Sequence, residues 1–354
     1  MGKTKMKRIS LALAGLLMGG ATVAMAQTKI NACGASFPDP IYEKWFADYH
    51  TAHPDVQINY VANGSGGGVK GVTDGTVDFG ASDAPMSDAE LAAATRNGKI
   101  LHFPTVMGAV IPIYNVSGVT QDLRFSGPTL AGIFLGKITK WNDKLIVADN
   151  PGVKLPNEDI TVVHRTDGSG TTFVWTDFLS NVSADWKTKV GTGKAVSWPV
   201  GLGGAQNSGV AGLVKNTPYS IGYTELIYAV EQKMGYGSVK NAAGDFIKAD
   251  IASVTEAAAG AAKTMPADFR VSIVNAPGKK SYPISTFTWL LIPSNIPDAA
   301  KSKAIHAFLD WMLTEGQKSA PSLTYAPLPA TVVVKEKAQL KSLEAPAAAP
   351  AKKK

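Results

Sequence analysis

The sequence predicts an α/β fold of mostly parallel sheet flanked by helices, on three observations. Short β-branched, apolar runs alternate with segments whose apolar residues recur at helical spacing. No repeat with a period of roughly 20–50 residues is present, which removes solenoids and propellers. The chain has 354 residues, 45% of them hydrophobic and 18% charged, enough for one or two cored domains of ordinary globular composition.

The elements follow in order. Lys29 to Ala35 has strand character, and Pro38 to His53 carries Ile41, Trp45, Phe46 and Tyr49 at helical spacing. Val56 to Ala62 is a β-branched strand that runs into a glycine cluster and a short helix. Val77 to Ala81 is a short apolar strand, and Ser87 caps a helix that stops at Asn97-Gly98. Leu101 to Tyr114 is long and apolar, as suits a strand that leaves one sheet for another. Ile160 to Arg165 is a strand, after which Ser169 opens a helix through Phe173 and Trp175. Tyr219 to Tyr223 and Thr286 to Ile292 are later buried strands. Ile296 to Glu315 is an amphipathic helix with Ile305, Phe308, Leu309 and Met312 turned inward.

Both ends stand apart from this body. Lys3, Lys5, Lys7 and Arg8 precede an apolar run from Ile9 to Met18, and Ala24-Met25-Ala26 supplies the small residues that a signal peptidase requires. Residues 1–26 are therefore expected to be a signal peptide cleaved after Ala26, leaving an exported, periplasmic chain. An uncleaved anchor and a lipoprotein cut before Cys33 are the alternatives. The apolar run is short for a membrane span, and Ile30-Asn31-Ala32 lies beyond it. Residues 335–354 are dominated by Ala, Pro and Lys and are expected to be a disordered tail, either without specific function or brushing anionic envelope surfaces.

The formal net charge of +7 resides in these two ends; without them, cations and anions nearly balance. That excludes the basic stripe of a nucleic-acid binder. The single cysteine permits no internal disulfide, and five scattered histidines offer no metal-ligand spacing. No cofactor, metal or catalytic residue is expected.

Three segments share one local grammar, in which a strand leads through small or hydroxyl residues into a helix. They are Gly34-Ala35-Ser36-Phe37-Pro38, Gly64-Ser65-Gly66-Gly67-Gly68-Val69-Lys70 and Arg165-Thr166-Asp167-Gly168-Ser169-Gly170-Thr171-Thr172. In the first, Ser36 can cap the helix and Pro38 suits its first turn. Each offers free backbone N–H groups and a hydroxyl at the positive end of a helix dipole, which suits an anion. Rival readings exist. Gly66, Gly68 and Gly71 match G-x-G-x-x-G, with Asp83 ending the next strand, but the following helix is short for a dinucleotide crossover. No Ser or Thr follows Lys70, which excludes a P-loop. His164, Asp83 and Ser169 are hydrolase residue types, yet no G-x-S-x-G elbow occurs, and His164 should face away from its strand neighbour Arg165.

These segments, with Val77-Asp78-Phe79-Gly80-Ala81-Ser82-Asp83-Ala84-Pro85, Trp198-Pro199-Val200-Gly201-Leu202-Gly203-Gly204, Ser220-Ile221-Gly222-Tyr223 and Phe308-Leu309-Asp310-Trp311, resemble the periplasmic phosphate-binding proteins of high-affinity phosphate ABC importers. The resemblance runs in order from about Lys29 to Val334. It implies a two-lobed periplasmic binding protein fold of type II, with the ligand in the cleft between lobes. Lobe 1 would combine 27–110 with 285–334, and lobe 2 would be 111–284. It further implies that inorganic phosphate is held by Ser36, the Phe37 backbone, Ser65, Asp83, Arg165, Ser169, Gly170 and Thr171. Asp167 would brace Arg165 from behind. The partners implied are the permease and ATPase subunits of the importer, with the binding protein itself a monomer. Ser36 stands where the family usually has threonine, Gly66 where a second serine is common, and Cys33 where a small residue is frequent; no needed donor is lost.

The chemistry of these residues agrees. Arg165 presents a rigid fork for two oxygens, and the hydroxyls each supply a donor. Asp83 should repel an anion unless it accepts a proton that the ligand carries. Phosphate carries one at neutral pH and sulfate does not, so Asp83 is expected to act as a selectivity filter. The alternatives are a binder of another tetrahedral oxyanion, arsenate (which carries a similar proton) or sulfate (which should fail against Asp83), and a periplasmic phosphatase or esterase on this scaffold.

Overall fold

The computed structural model describes residues 27–96 and 98–343. The expected signal peptide and its cleavage point lie outside these residues, as does Asn97.

The first half of the chain runs β1 (Thr28–Gly34), α1 (Asp39–Ala52), β2 (Val56–Val61), α2 (Ser65–Asp74), β3 (Phe79–Ser82), α3 (Asp88–Ala93) and β4 (Ile100–Asn115). It continues through β5 (Arg124–Phe125), α4 (Gly127–Phe134), α5 (Lys144–Asp149), β6 (Thr161–Arg165), α6 (Gly170–Val182) and α7 (Ala184–Lys189). Then come β7 (Leu202–Gly204), α8 (Gln206–Asn216), β8 (Ser220–Glu225), α9 (Leu226–Glu231), β9 (Ser238–Lys240), β10 (Phe246–Ile247) and α10 (Ile251–Thr264). The chain closes with β11 (Ser285–Pro293), α11 (Ala299–Met312) and α12 (Ala330–Leu340).

Eight strands form one continuous sheet in the order β2-β1-β3-β11-β4-β8-β6-β7. Its outer ladders, β1 with β2 and β3, and β6 with β7 and β8, are parallel, as the alternation of strands and helices requires. The inner ladders of β11 and β4 are antiparallel. β4 divides its hydrogen bonds: Ile100 to Ala109 pairs with β11, and Val110 to Asn115 pairs with β8. The change falls between Ala109 and Val110. Beside it, Val110 N–H donates to the Ile284 carbonyl at 2.9 Å, and the Tyr282 hydroxyl donates to the Val110 carbonyl at 2.9 Å. The result is the two-lobed α/β architecture of two half-sheets that share one strand. Long apolar runs at β4 and β11 follow from burial on both faces.

Close backbone approach brings α2 onto β1 and β3. A Cβ on Gly68 would stand 2.3 Å from the Ala81 carbonyl oxygen, so only glycine lets this helix seat its N-terminus at the strand ends.

Two expectations need correction. Lys335 to Leu343 is not a disordered tail: α12 continues to Leu340, and a 3-10 turn spans Lys341–Leu343. Val332, Glu336, Leu340 and Leu343 are buried, at intervals of three and four residues. That stripe packs α12 on α10 and α11, and the bulk Ala/Pro/Lys composition conceals it. Residues 344–354 lie outside the described residues. The stretch Ile251–Arg270, counted with the second lobe, also straddles the division. α10 contacts β11 and α12, the Trp289 indole N–H donates to the Phe269 carbonyl at 3.0 Å, and Arg270 pairs with Asp88 at 2.7 Å. Buried apolar contact decides its placement, not chain order.

Candidate functional site

The strand-to-helix turns converge where the two half-sheets face each other. The Ser65 hydroxyl, at the start of α2, accepts from the Asp83 N–H at 3.2 Å and from the Gly170 N–H at 3.0 Å. Gly66 N–H donates to the Gly168 carbonyl at 2.7 Å. Residues from both halves are therefore in direct contact, and the side chains predicted to touch the ligand are buried, with Asp167 only partly so.

Arg165 ends β6 and is 3% exposed. Its Nε donates to Asp167 Oδ1 at 2.8 Å, and Nη2 pairs with the other Asp167 oxygen. The Gln206 N–H also donates to Asp167 Oδ1, at 3.0 Å. Burial pushes the Asp167 carboxyl up, but Arg165 and these N–H groups outweigh it and hold it below the usual range. Asp167 thus pins one edge of the guanidinium. The remaining nitrogen, Nη1, is buried with no protein acceptor. A buried cationic donor left in this state calls for an acceptor from outside the chain.

Asp83 follows β3 and is 2% exposed. Its Oδ1 accepts from the Thr288 hydroxyl at 2.9 Å. Desolvation pushes its carboxyl up to about 7, against the opposing influence of Thr288, Arg165, Ser65 and Thr171. The site therefore carries one carboxyl that exchanges a proton near neutrality beside one permanent cation.

Ser169 behaves as predicted, accepting from the Thr172 N–H at 3.0 Å to cap α6. Ser36 does not. Pro38 occupies the N-cap of α1 without a side-chain cap, and the Ser36 hydroxyl instead accepts from Asn207, through its N–H at 3.1 Å and its Nδ2 at 3.0 Å. Ser36 closes the N-terminus of α8, in the opposite half. Around it, Tyr228 donates to the Ser36 carbonyl at 2.5 Å and Tyr325 to the Phe37 carbonyl at 2.6 Å. In a trans peptide C=O and N–H point opposite ways, so the Phe37 N–H is directed away from Tyr228.

Asn207 is the residue that sequence reasoning missed. It is fully buried and also donates from Nδ2 to the Thr171 hydroxyl at 3.2 Å. The signal was present, because Leu202 to Asn207 repeats the grammar of a strand, glycines and a helix start. The His164 ring stacks on Trp198 at 4.8 Å between centroids, and its Nδ1 lies 3.1 Å from the Arg165 carbonyl oxygen. It is thus spent on packing, and Ser169 is engaged with a backbone N–H.

A family model described as a PBP superfamily domain matches residues 19–315. A relative from Xylella fastidiosa (strain Temecula1), named phosphate-binding protein PstS, is 45% identical over 306 residues, covering 86% of this chain and 83% of its own. A protein of the same name from Pasteurella multocida is 42% identical over 338 residues, covering 95% and 96%. Among solved structures, a phosphate-binding protein from Stenotrophomonas maltophilia superposes with a TM-score of 0.68 at 20% identity, over 88% of this chain and 94% of that one. A Clostridium perfringens putative phosphate ABC transporter substrate-binding protein with bound phosphate gives 0.62 at 19% identity, over 85% and 100%. At such identities these two likenesses speak to the fold alone.

Proposed function

The chain belongs to the PBP superfamily, in the family of phosphate-binding proteins named PstS, and on that premise we propose that it captures inorganic phosphate and delivers it to an ABC importer without catalysis. The observation that carries this reading is Arg165 Nη1, buried and without an acceptor beside the titrating carboxyl of Asp83. Phosphate oxygens would accept from Nη1, from the hydroxyls of Ser36, Ser65, Ser169 and Thr171, and from the N–H groups of Phe37 and Thr171, with Gly170, whose N–H donates to Ser65, lining the site. Charge-assisted hydrogen bonds contribute about 1.5–3 kcal/mol each. Several together reach the roughly 8 kcal/mol of micromolar binding after ordering and desolvation are subtracted.

Asp83 supplies discrimination. One proton shared between it and the ligand makes the contact a hydrogen bond instead of a repulsion. Ligand between the two lobes would hold the closed form, which the permease and ATPase subunits distinguish from the open one. The reading places a monomer outside the cytoplasmic membrane, freed by cleavage after Ala26.

Calorimetric titration of the wild type with phosphate and with sulfate is the test. Phosphate is expected to bind and sulfate to fail, with the gap narrowed in Asp83→Asn. Equal binding of both anions by the wild type overturns the filter. Turnover of a phosphoester that depends on Ser169 would favour an enzyme instead.

A further inference from the structure

The Asn207 amide has one orientation that its surroundings allow. The Glu225 N–H, which can only donate, reaches Oδ1 at 3.1 Å, and the Thr224 hydroxyl reaches the same atom at 3.1 Å. Oδ1 is therefore the oxygen, and the amide NH₂ faces Ser36 and Thr171. An NH₂ group has no lone pair to offer, so both hydroxyls must accept from it. Ser36 Oγ accepts a second time, from the Asn207 N–H. Both its lone pairs are then occupied, and its own proton is all that it has left to give.

We propose that Asn207 is a positioning residue for anion capture, which forces the Ser36 hydroxyl, and with it Thr171, to act as donors toward the ligand. The inference rests on the phosphate reading and deepens it. Ser36 lies after β1 and Asn207 opens α8, on opposite half-sheets. Donor direction at Ser36 is thus set only when the halves meet. In the open form that hydroxyl is free to turn and can as well accept as donate. Closure and recognition are linked through one amide. An acceptor-only oxygen fits at Ser36, and a ligand that presents a hydroxyl there does not.

Asn207→Asp keeps the oxygen that serves Glu225 and Thr224 but replaces NH₂ by an acceptor, which draws the Ser36 proton away from the ligand. Phosphate affinity is expected to fall by between about 10- and 150-fold, the range for one hydrogen bond to a charged group. The added charge also repels phosphate, and Ser36→Ala separates the two effects. In the wild type Ser36→Ala is expected to weaken binding by about 10-fold or more, and in the Asn207→Asp background to change it by less than about twofold. A structural defect or simple repulsion leaves the Ser36→Ala effect intact in both backgrounds, and that additive result overturns the proposal. Asn207→Ala, which adds no charge, provides the same cycle if the aspartate variant melts before titration. Undiminished phosphate binding by both variants sinks this inference alone, whereas no phosphate binding by the wild type removes the reading beneath it.

Discussion

Gly170 and Ser65 meet across the cleft: the Gly170 N–H donates to the Ser65 hydroxyl at 3.0 Å, and a Cβ on Gly170 would stand 2.5 Å from that oxygen. The same Cβ would lie 2.6 Å from the Cβ of Asp83. Because the clash lies between halves, opening relieves it. Gly170→Ala is expected to weaken phosphate binding by between about 5- and 150-fold, as overpacking does. The melting temperature without ligand should change little. Small-angle scattering should show the variant open in the presence of phosphate; a compact, tightly binding variant contradicts this.

Selectivity should depend on pH with a definite sign. The Asp83 carboxyl sits near 7 in the unliganded site, so at pH 5 it is mostly protonated and can donate to a protonless oxyanion. Sulfate competition against phosphate is expected to strengthen as pH falls from 8 to 5. In Asp83→Asn the ratio should be flatter, as measured by competitive titration at each pH.

The same group shapes stability without ligand. Its folded pKa lies above the ordinary carboxylate value, so between about pH 4 and 7 the folded chain retains a proton that the unfolded chain has released. Its contribution is complete below that window and disappears as pH rises through 7, on the order of a few kcal/mol. Denaturant midpoints of ligand-free wild type and Asp83→Asn should diverge across the window. Parallel curves would refute the assignment.

Asp167→Ala should weaken phosphate binding by about 10-fold or more. It frees the Arg165 fork to rotate and deprives the Gln206 N–H of its acceptor. Arg165→Lys loses the fork and should be worse, because an ammonium cannot serve Asp167 and the ligand together in a plane. Equal affinities for wild type and Asp167→Ala would show that the brace is dispensable.

The C-terminal helix offers a stability test remote from the cleft. Glu336 is fully buried with neither carboxyl oxygen partnered, and burial raises its pKa well above the usual value. Glu336→Leu is expected to raise the melting temperature, more at pH 8 than at pH 5, since the carboxyl weighs on the fold increasingly as pH rises. A chain ended after Val334 loses buried Leu340 and Leu343 and should melt lower.

How far the sequence was legible depended on whether the deciding contact was local. Strands such as β4 and β11 were readable from long, largely apolar runs, and Ser169 from its place before a helix, because capping is settled within four residues. Arg165 and Asp167 are two residues apart, so their pairing was a local matter too. Ser36 was misread because its hydroxyl is taken by Asn207, 171 residues away. Glu225, whose N–H fixes that amide, has a local role of its own, accepting from the Ile227 N–H at 2.7 Å to cap α9. Lys335 to Leu343 failed for another reason: composition averages away a stripe whose partners lie on α10 and α11.

The position of β11 between β3 and β4 has a consequence for how the molecule comes into being. β3 and the early part of β4 are separated in the sheet by a strand that begins at Ser285, long after both have been synthesised. Until that strand arrives, the N-terminal lobe lacks its middle, while β4, β8, β6 and β7 can already assemble. If the strands pair as the chain emerges, the lobe begun first is the one completed last. The long wait for a distant strand makes that step slow by the ordinary dependence of rate on contact order. A chain halted before Ser285 leaves β1, β2 and β3 without a neighbour to close on, open to capture by a chaperone.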